Sequence, residues 1–146
     1  MKIKPEIMEG IRRHIQPIDG LEHTELLEIE PGHAKIAINV PAGALNLYGT
    51  LHGGFLFALC DMVSGMSTYA YEMINVTQMG NIQFLKAITA GRIYVESNAV
   101  HRGKKTVVNQ VSITDDKGTL FVCATLTMFL VAPITCPQEN VHTKKE

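Results

Sequence analysis

The first periodic stretch of the chain sets Ile7, Met8, Ile11 and Ile15 at helical spacing against Glu6, Glu9, Arg12 and Arg13, with Pro5 in a first-turn position. That pattern predicts a short amphipathic helix over 5–15. Over 24–30 and 33–40 the period changes to two: Ala34, Ile36, Ile38 and Val40 alternate with His33, Lys35, Ala37 and Asn39. Pro31-Gly32 between the two runs predicts a hairpin. A loop holding Pro41, Gly43, Asn46 and Gly49 then leads through His52-Gly53-Gly54 into an apolar helical run over 55–72. Beyond it the chain reads as four strands over 77–88, 92–100, 106–114 and 119–131, joined by turns at Ala90-Gly91, Arg102-Gly103-Lys104-Lys105 and Asp115-Asp116-Lys117-Gly118. Short connections imply antiparallel neighbours. A helix of about 18 residues is roughly 27 Å long, close to the width of a small sheet, so a curled antiparallel sheet wrapped around it buries it on most sides. The expected class is α+β, with an N-terminal helix and linker over 1–20, one domain over 21–132 and an aperiodic tail over 133–146.

Composition changes this picture in one respect. Thirteen Lys and Arg against 14 Asp and Glu leave a net charge of −1, which argues against nucleic-acid binding by bulk charge. Hydrophobic residues make up 46% and charged residues only 18%, with a mean hydropathy of +0.10, where soluble domains carry about 25% charged. The deficit concentrates in 55–71 and 120–131, segments that a single chain would struggle to cover, and this predicts a homo-oligomer. The basic residues of the first 16 positions are interspersed with acids and single apolar residues, unlike an export signal. Cys60, Cys123 and Cys136 are an odd number at unrelated spacings, which fits free thiols in a reducing cytoplasm. The apolar run 53–71 approaches membrane-spanning length, but Asp61 lies near its middle, so it reads as a core helix and no membrane partner is expected.

Asp61 is the only charge between Gly53 and Tyr71. A carboxylate on so apolar a helix is either held at a wet edge by a structural hydrogen bond or kept for chemistry. Gly53-Gly54 at the helix start either makes a tight turn or leaves backbone N–H groups open at the positive end of the helix dipole, where a carbonyl gaining negative charge would be stabilised. Eight residues separate Gly53 from Asp61, about 12 Å of helix. The two can act on one small group only across a partner subunit or through a bend, which predicts a composite site between two copies. His52 would by default cap or pack, and Asn46 and Thr77 are individually uninformative. His14, His23, His33, His101 and His142 show no paired ligand spacing and no Cys-x-x-Cys occurs, so no metal is expected. No Gly-x-Ser-x-Gly elbow is present. The basic turn with Arg102, Lys104 and Lys105 around Gly103 suits either a solvated hairpin tip or a phosphate-bearing ligand.

Asn46-Leu47-Tyr48-Gly49-Thr50-Leu51-His52-Gly53-Gly54, followed by Asp61 in a long helix, resembles the Asn-x-x-Gly-x-x-His-Gly-Gly...Asp signature of the hotdog-fold acyl-CoA thioesterases of the phenylacetate-pathway (PaaI) type. The resemblance covers about 21–131. It implies a hotdog fold, dimers that often pair into tetramers, and an active site at the dimer interface acting on an acyl-CoA, with CoA part of the substrate and no separate cofactor. It assigns Asp61 as general base or nucleophile and the N–H of Gly53 on the opposite subunit as the group polarising the thioester carbonyl. Asn46 and His52 shape that loop beside Gly54, and Thr77 falls where related enzymes hold the attacking water, although they often have Ser there. Arg102, Gly103, Lys104 and Lys105 fall where the family contacts CoA phosphates, and Tyr48 and Phe55 are offered as acyl-pocket residues. A non-catalytic acyl-CoA-binding hotdog module and a hotdog hydratase are the competing readings; the first would not need Asp61, and the second uses a different Asp and His arrangement.

Overall fold

The computed structural model describes residues 3–13, 15 and 17–134. In chain order its principal elements are α1 (Pro5–Arg13), β1 (Glu25–Glu30), β2 (His33–Asn39), α2 (Gly53–Tyr69), β3 (Met73–Phe84), β4 (Arg92–Arg102), β5 (Thr106–Thr114) and β6 (Leu120–Pro133). The six strands form one antiparallel sheet in the order β1-β2-β4-β5-β6-β3. The connection through α2 therefore carries the chain from β2 to the far edge of the sheet, and the helix lies across the concave face between them.

The packing follows from side-chain period. Ile36 and Ile38 of β2, Ile93 and Val95 of β4, Val111 and Ile113 of β5, and Val122, Leu126 and Met128 of β6 point inward and are buried against Phe55, Leu59 and Val63 of α2. The expected curled sheet around a helix is thus what the chain forms. Phe55 sits in this core rather than in an acyl pocket, and Tyr48 is exposed. β6 alternates cleanly, so the apolar run 120–131 is half covered within the chain and leaves Leu120, Phe129 and Val131 exposed.

The largest departures from the sequence pattern surround α2 and β3, while β4 and β6 each run two residues further than expected, to Arg102 and Pro133. Both glycines belong to the first turn of α2, which begins at Gly53 and ends at Tyr69 instead of running over 55–72. After the C-cap Ala70, Glu72 adopts a left-handed backbone conformation, φ 62°, and turns the chain directly into β3 four residues earlier than expected. β3 ends at Phe84 because the N–H groups of Leu85 and Lys86 both turn to the carbonyl of Phe121, at 2.8 and 3.2 Å. Helix α1 buries none of its residues, and Ile7 and Ile11 remain exposed. No helix among the described residues is long and apolar enough to cross a membrane. The expected tail over 133–146 lies almost wholly outside the described residues, as do His14, Cys136 and His142.

Candidate active site

Asp61 lies midway along α2, half-buried, and its carboxylate accepts a hydrogen bond from the hydroxyl of Thr77 on β3. Two features of β3 bring the hydroxyl there. Thr77 pairs with Met128 and Met79 with Thr127, so Gln78 is an extra residue in the ladder, and such a bulge re-aims the adjacent side chain. Two residues earlier on the same face, Asn75 donates through Nδ2 to the carbonyl of Gly65 at 3.3 Å, one helical turn beyond Asp61. The edge strand therefore clasps the helix through two polar contacts. Sequence reasoning missed Asn75, although its signal was present: Asn75 and Thr77 put polar groups on the helix-facing side of a strand whose outward positions hold Ile74 and Val76.

The start of α2 is the second half of the arrangement. His52 is the N-cap residue, but its side chain does not cap the helix; its carbonyl accepts from Leu56 N at 3.1 Å. The first-turn amides, Gly53 among them, have no acceptor within the helix. Gly53 lies under the ring of Phe84, which a Cβ at position 53 would meet at 3.2 Å. A cleft of about 360 Å³ opens here, lined by Gly53, Leu56 and Phe84 among others. Asn46 spends its side chain on the preceding loop: Oδ1 accepts from the N–H groups of Tyr48 (2.9 Å) and Thr50 (3.1 Å), and Nδ2 donates to Thr50 Oγ1 at 2.8 Å. It fixes the loop that delivers Gly53. Helix α2 is continuous between Gly53 and Asp61, so about 12 Å of helix separates the amide from the carboxylate within one chain.

Two further clefts open on the chain. One of about 480 Å³ runs along α2 past Met62, Gly65, Met66 and Tyr69, with Asn75 and Ile29 opposite, and is predominantly apolar. The other, about 590 Å³, is lined by Met73, Arg102, Gly103, Lys104 and Leu130; Lys105 stands beside it, its carbonyl tied to Leu130 N at 2.8 Å. The fold also assembles Glu28, His33 and Glu96 with ligand atoms within 4.8 Å of one another, a group that sequence spacing did not reveal. His33 is engaged there by Glu28 and Asn98, and Glu96 faces Lys35 at 3.9 Å, so the group reads as an ion-pair cluster. Cys60 is fully buried in the core, and burial pushes its thiol up to about 12, which leaves it unreactive.

A half-buried carboxylate oriented by a hydroxyl can attack a carbonyl or activate a water, and helix-start amides without helical acceptors can stabilise an oxyanion. The thioesterase superfamily profile matches residues 48–122, from the loop before α2 into β6. The chain belongs to the thioesterase superfamily. Its six-stranded sheet curled on one long helix is the hotdog fold of these thioester hydrolases. Among solved members, a hypothetical thioesterase protein of Streptococcus pneumoniae with coenzyme A is 34% identical, covering 81% of this chain and 96% of that one with a TM-score of 0.78. A Streptococcus mutans protein bound to acetyl-CoA is 31% identical, covering 84% of this chain and 99% of that one with a TM-score of 0.76. The Escherichia coli acyl-coenzyme A thioesterase PaaI is 28% identical over 94 residues, 64% of this chain and 67% of its own. The hypothetical thioesterase protein of S. pneumoniae was also solved with a Thr and, separately, an Asp replaced by Ala. Those two positions are 16 residues apart, the separation of Asp61 and Thr77.

Proposed function

We propose that this thioesterase hydrolyses an acyl- or aryl-CoA to the free acid and CoA, at a site shared between two copies of the chain. The observation that carries the reading is the Asp61–Thr77 pair, in which the one charge of a strongly apolar helix is oriented by a hydroxyl from the edge strand. The matched spacing of the two positions changed to Ala in the streptococcal relative supports it. The Asp61 carboxylate attacks the thioester carbon, directly or through a water it deprotonates. The carbonyl electron pair moves onto oxygen, and its return breaks the C–S bond and expels the CoA thiolate, which takes up a proton; on the direct route water then hydrolyses the mixed anhydride left on Asp61, and on the water route the acid forms in the same step. The N–H of Gly53 supplies the donor for that oxygen. Within one chain it lies too far along α2, so the donor comes from the second copy.

The β3 edge supports the second copy. Its twelve residues contain neither a charge nor a proline, and Ile74, Val76 and Met79 are exposed on its outer face. Natural edge strands left in water carry charges, prolines or covers that block pairing. Pairing of β3 with β3 of a second copy closes the sheet edge, brings each Asp61 toward the partner's half of the interface and gives an isologous dimer, which can pair again into a tetramer. Arg102, Gly103, Lys104 and Lys105 take the CoA phosphates, and the apolar cleft beside Met62 and Met66 takes the acyl group. The buried, unpaired Cys60 thiol fits the cytoplasmic setting read from the sequence.

The test is Asp61→Asn, assayed by thiol release from a panel of acyl-CoAs. The variant is expected to stay dimeric and to lose about 100-fold or more in kcat; unchanged hydrolysis contradicts the assignment. In single turnover in oxygen-18 water, label in the enzyme carboxylate identifies direct attack, with water opening the anhydride at the Asp61 carbon.

A further inference from the structure

We infer that Tyr71 is a positioning residue for Arg102, holding its guanidinium ready for a phosphate group of the substrate; this rests on the reading of the basic turn as the CoA phosphate site. Arg102, at the end of β4, pairs with Val107, which pairs with Met128, which pairs with Thr77. Directly paired residues share a face of the sheet; Val107 and Met128 are both buried, and Met128 belongs to the core around α2. Arg102 and Thr77 thus project to the same concave side, three strand spacings or about 14 Å apart along the sheet. One row of the sheet aligns the acid's partner at one end with a cation at the other.

The cation is held by an aromatic ring. The Arg102 guanidinium lies 4.3 Å from the centroid of Tyr71, within the roughly 6 Å over which a ring face attracts a cation. Tyr71 is itself wedged. A Cβ at Gly32 would fall 2.3 Å from the Tyr71 hydroxyl oxygen and 3.0 Å from Cζ, so only glycine leaves room for the ring. Gly32, at φ +80°, is locked in turn: its N–H donates to the Ser67 carbonyl of α2 at 3.0 Å and its carbonyl accepts from Ala99 N at 2.7 Å. Directly after Tyr71 comes Glu72, the one non-glycine residue with positive φ among those described. That reversal sends Met73 into the cleft it lines with Arg102, Gly103 and Lys104.

A second arginine–tyrosine stack shows what is particular here. Arg92 lies 5.7 Å from the ring centroid of Tyr94, but Glu25 takes its guanidinium at 2.6 Å. Among the described residues no carboxylate lies within ion-pair distance of Arg102. Its nitrogen edge remains available for the two-pronged contact that a guanidinium makes with phosphate oxygens. A side chain already confined by stacking loses less freedom when the ligand arrives, whereas Lys104 and Lys105 contribute mobile point charges.

The experiment compares Tyr71→Leu, Tyr71→Phe, Arg102→Ala and the Tyr71→Leu/Arg102→Ala double variant. The readouts are Kd for CoA by calorimetry, and KM and kcat for one acyl group carried on CoA and on N-acetylcysteamine, which has no phosphate. Y71L is expected to raise Kd and the CoA-ester KM about two- to fivefold at unchanged kcat, without affecting the N-acetylcysteamine ester. Y71F, which keeps the ring, is expected to match the wild type, and Y71L to add nothing in the R102A background. If R102A weakens CoA and Y71L does not, the positioning role is overturned while the phosphate reading stands. If R102A leaves CoA binding unchanged, the phosphate reading itself is overturned, and the inference with it. If Y71L impairs both esters alike, or Y71F fails to rescue, Tyr71 acts only as packing and the inference fails.

Discussion

Thr77 donates to Asp61 from a bulge in an otherwise regular strand, and one hydroxyl thereby constrains the direction in which the carboxylate presents its lone pairs. Valine at 77 keeps the shape and removes the donor, so Thr77→Val is expected to lower kcat about tenfold, while Thr77→Ser retains most of it. Equal activity of the two variants, measured by thiol release, would show that the hydroxyl has no part in turnover. Asp61 stood out in the sequence because a lone charge on an apolar helix needs a physical explanation. Its partner did not, since a threonine followed by Gln78 gives no sign that the ladder slips there. Asn46 resolves in the other direction: its side chain is consumed by its own loop, so its influence on the site passes through the placement of Gly53.

At the scale of elements, alternation made the strands legible and cross-strand contacts remained hidden. Asn109 is the clearest case. It sits in a strand whose neighbours at the same phase, Val107 and Val111, are apolar, yet it is buried, and its Nδ2 donates to Ser64 Oγ at 2.8 Å and Thr68 Oγ1 at 3.0 Å. Ser67 completes the group with Ser97 at 3.1 Å, so α2 is pinned to β4 and β5 just beyond Asp61 by polar contacts inside the core. Asn109→Leu leaves the two helix hydroxyls without that partner and is expected to destabilise by about 2–3 kcal/mol; a denaturation midpoint equal to wild type would contradict this. The β1–β2 hairpin carries a pH dependence. Both His33 ring nitrogens face oxygens, Glu28 Oε2 and Asn98 Oδ1, each at 2.8 Å. The hydrogen bond to Glu28, then that to Asn98, raises the histidine above its ordinary 6.5, and His33 holds Glu28 below its ordinary 4.5. A raised histidine stabilises fully below its unfolded value and loses that contribution as pH rises through the folded one; the lowered glutamate loses its share as pH falls through its folded value. Thermal melts should therefore show wild type above His33→Gln between about pH 5 and 6.5, with the gap closing toward alkaline pH. A gap independent of pH would place the effect in packing.

On the scale of the whole molecule, the low charge content is where the single chain and the proposed assembly part. The apolar helix is largely covered by the chain's own sheet, and uncovered apolar side chains lie instead on β1, on β3, on the outer face of β6 and along α1. The helix, the strand order along the chain and Asp61 were readable because each leaves a local mark. The crossing of β3 to the far edge and the inward turn of its polar residues were not, because they depend on which strand the chain returns to. If Asp61 and Gly53 work together only across two copies, paired variants reveal it. Gly53→Pro removes the N–H at a helix position that tolerates proline, with Gly53→Ala as the control that keeps it. Co-expressing Gly53→Pro with Asp61→Asn makes hybrid dimers in which one site combines an intact Asp61 with an intact Gly53. A shared site predicts that two nearly inactive parents give a mixture with about one quarter of wild-type kcat, since half the dimers are hybrid and each has one good site of two. A mixture no more active than its parents would place both groups in one chain and rule out the shared site.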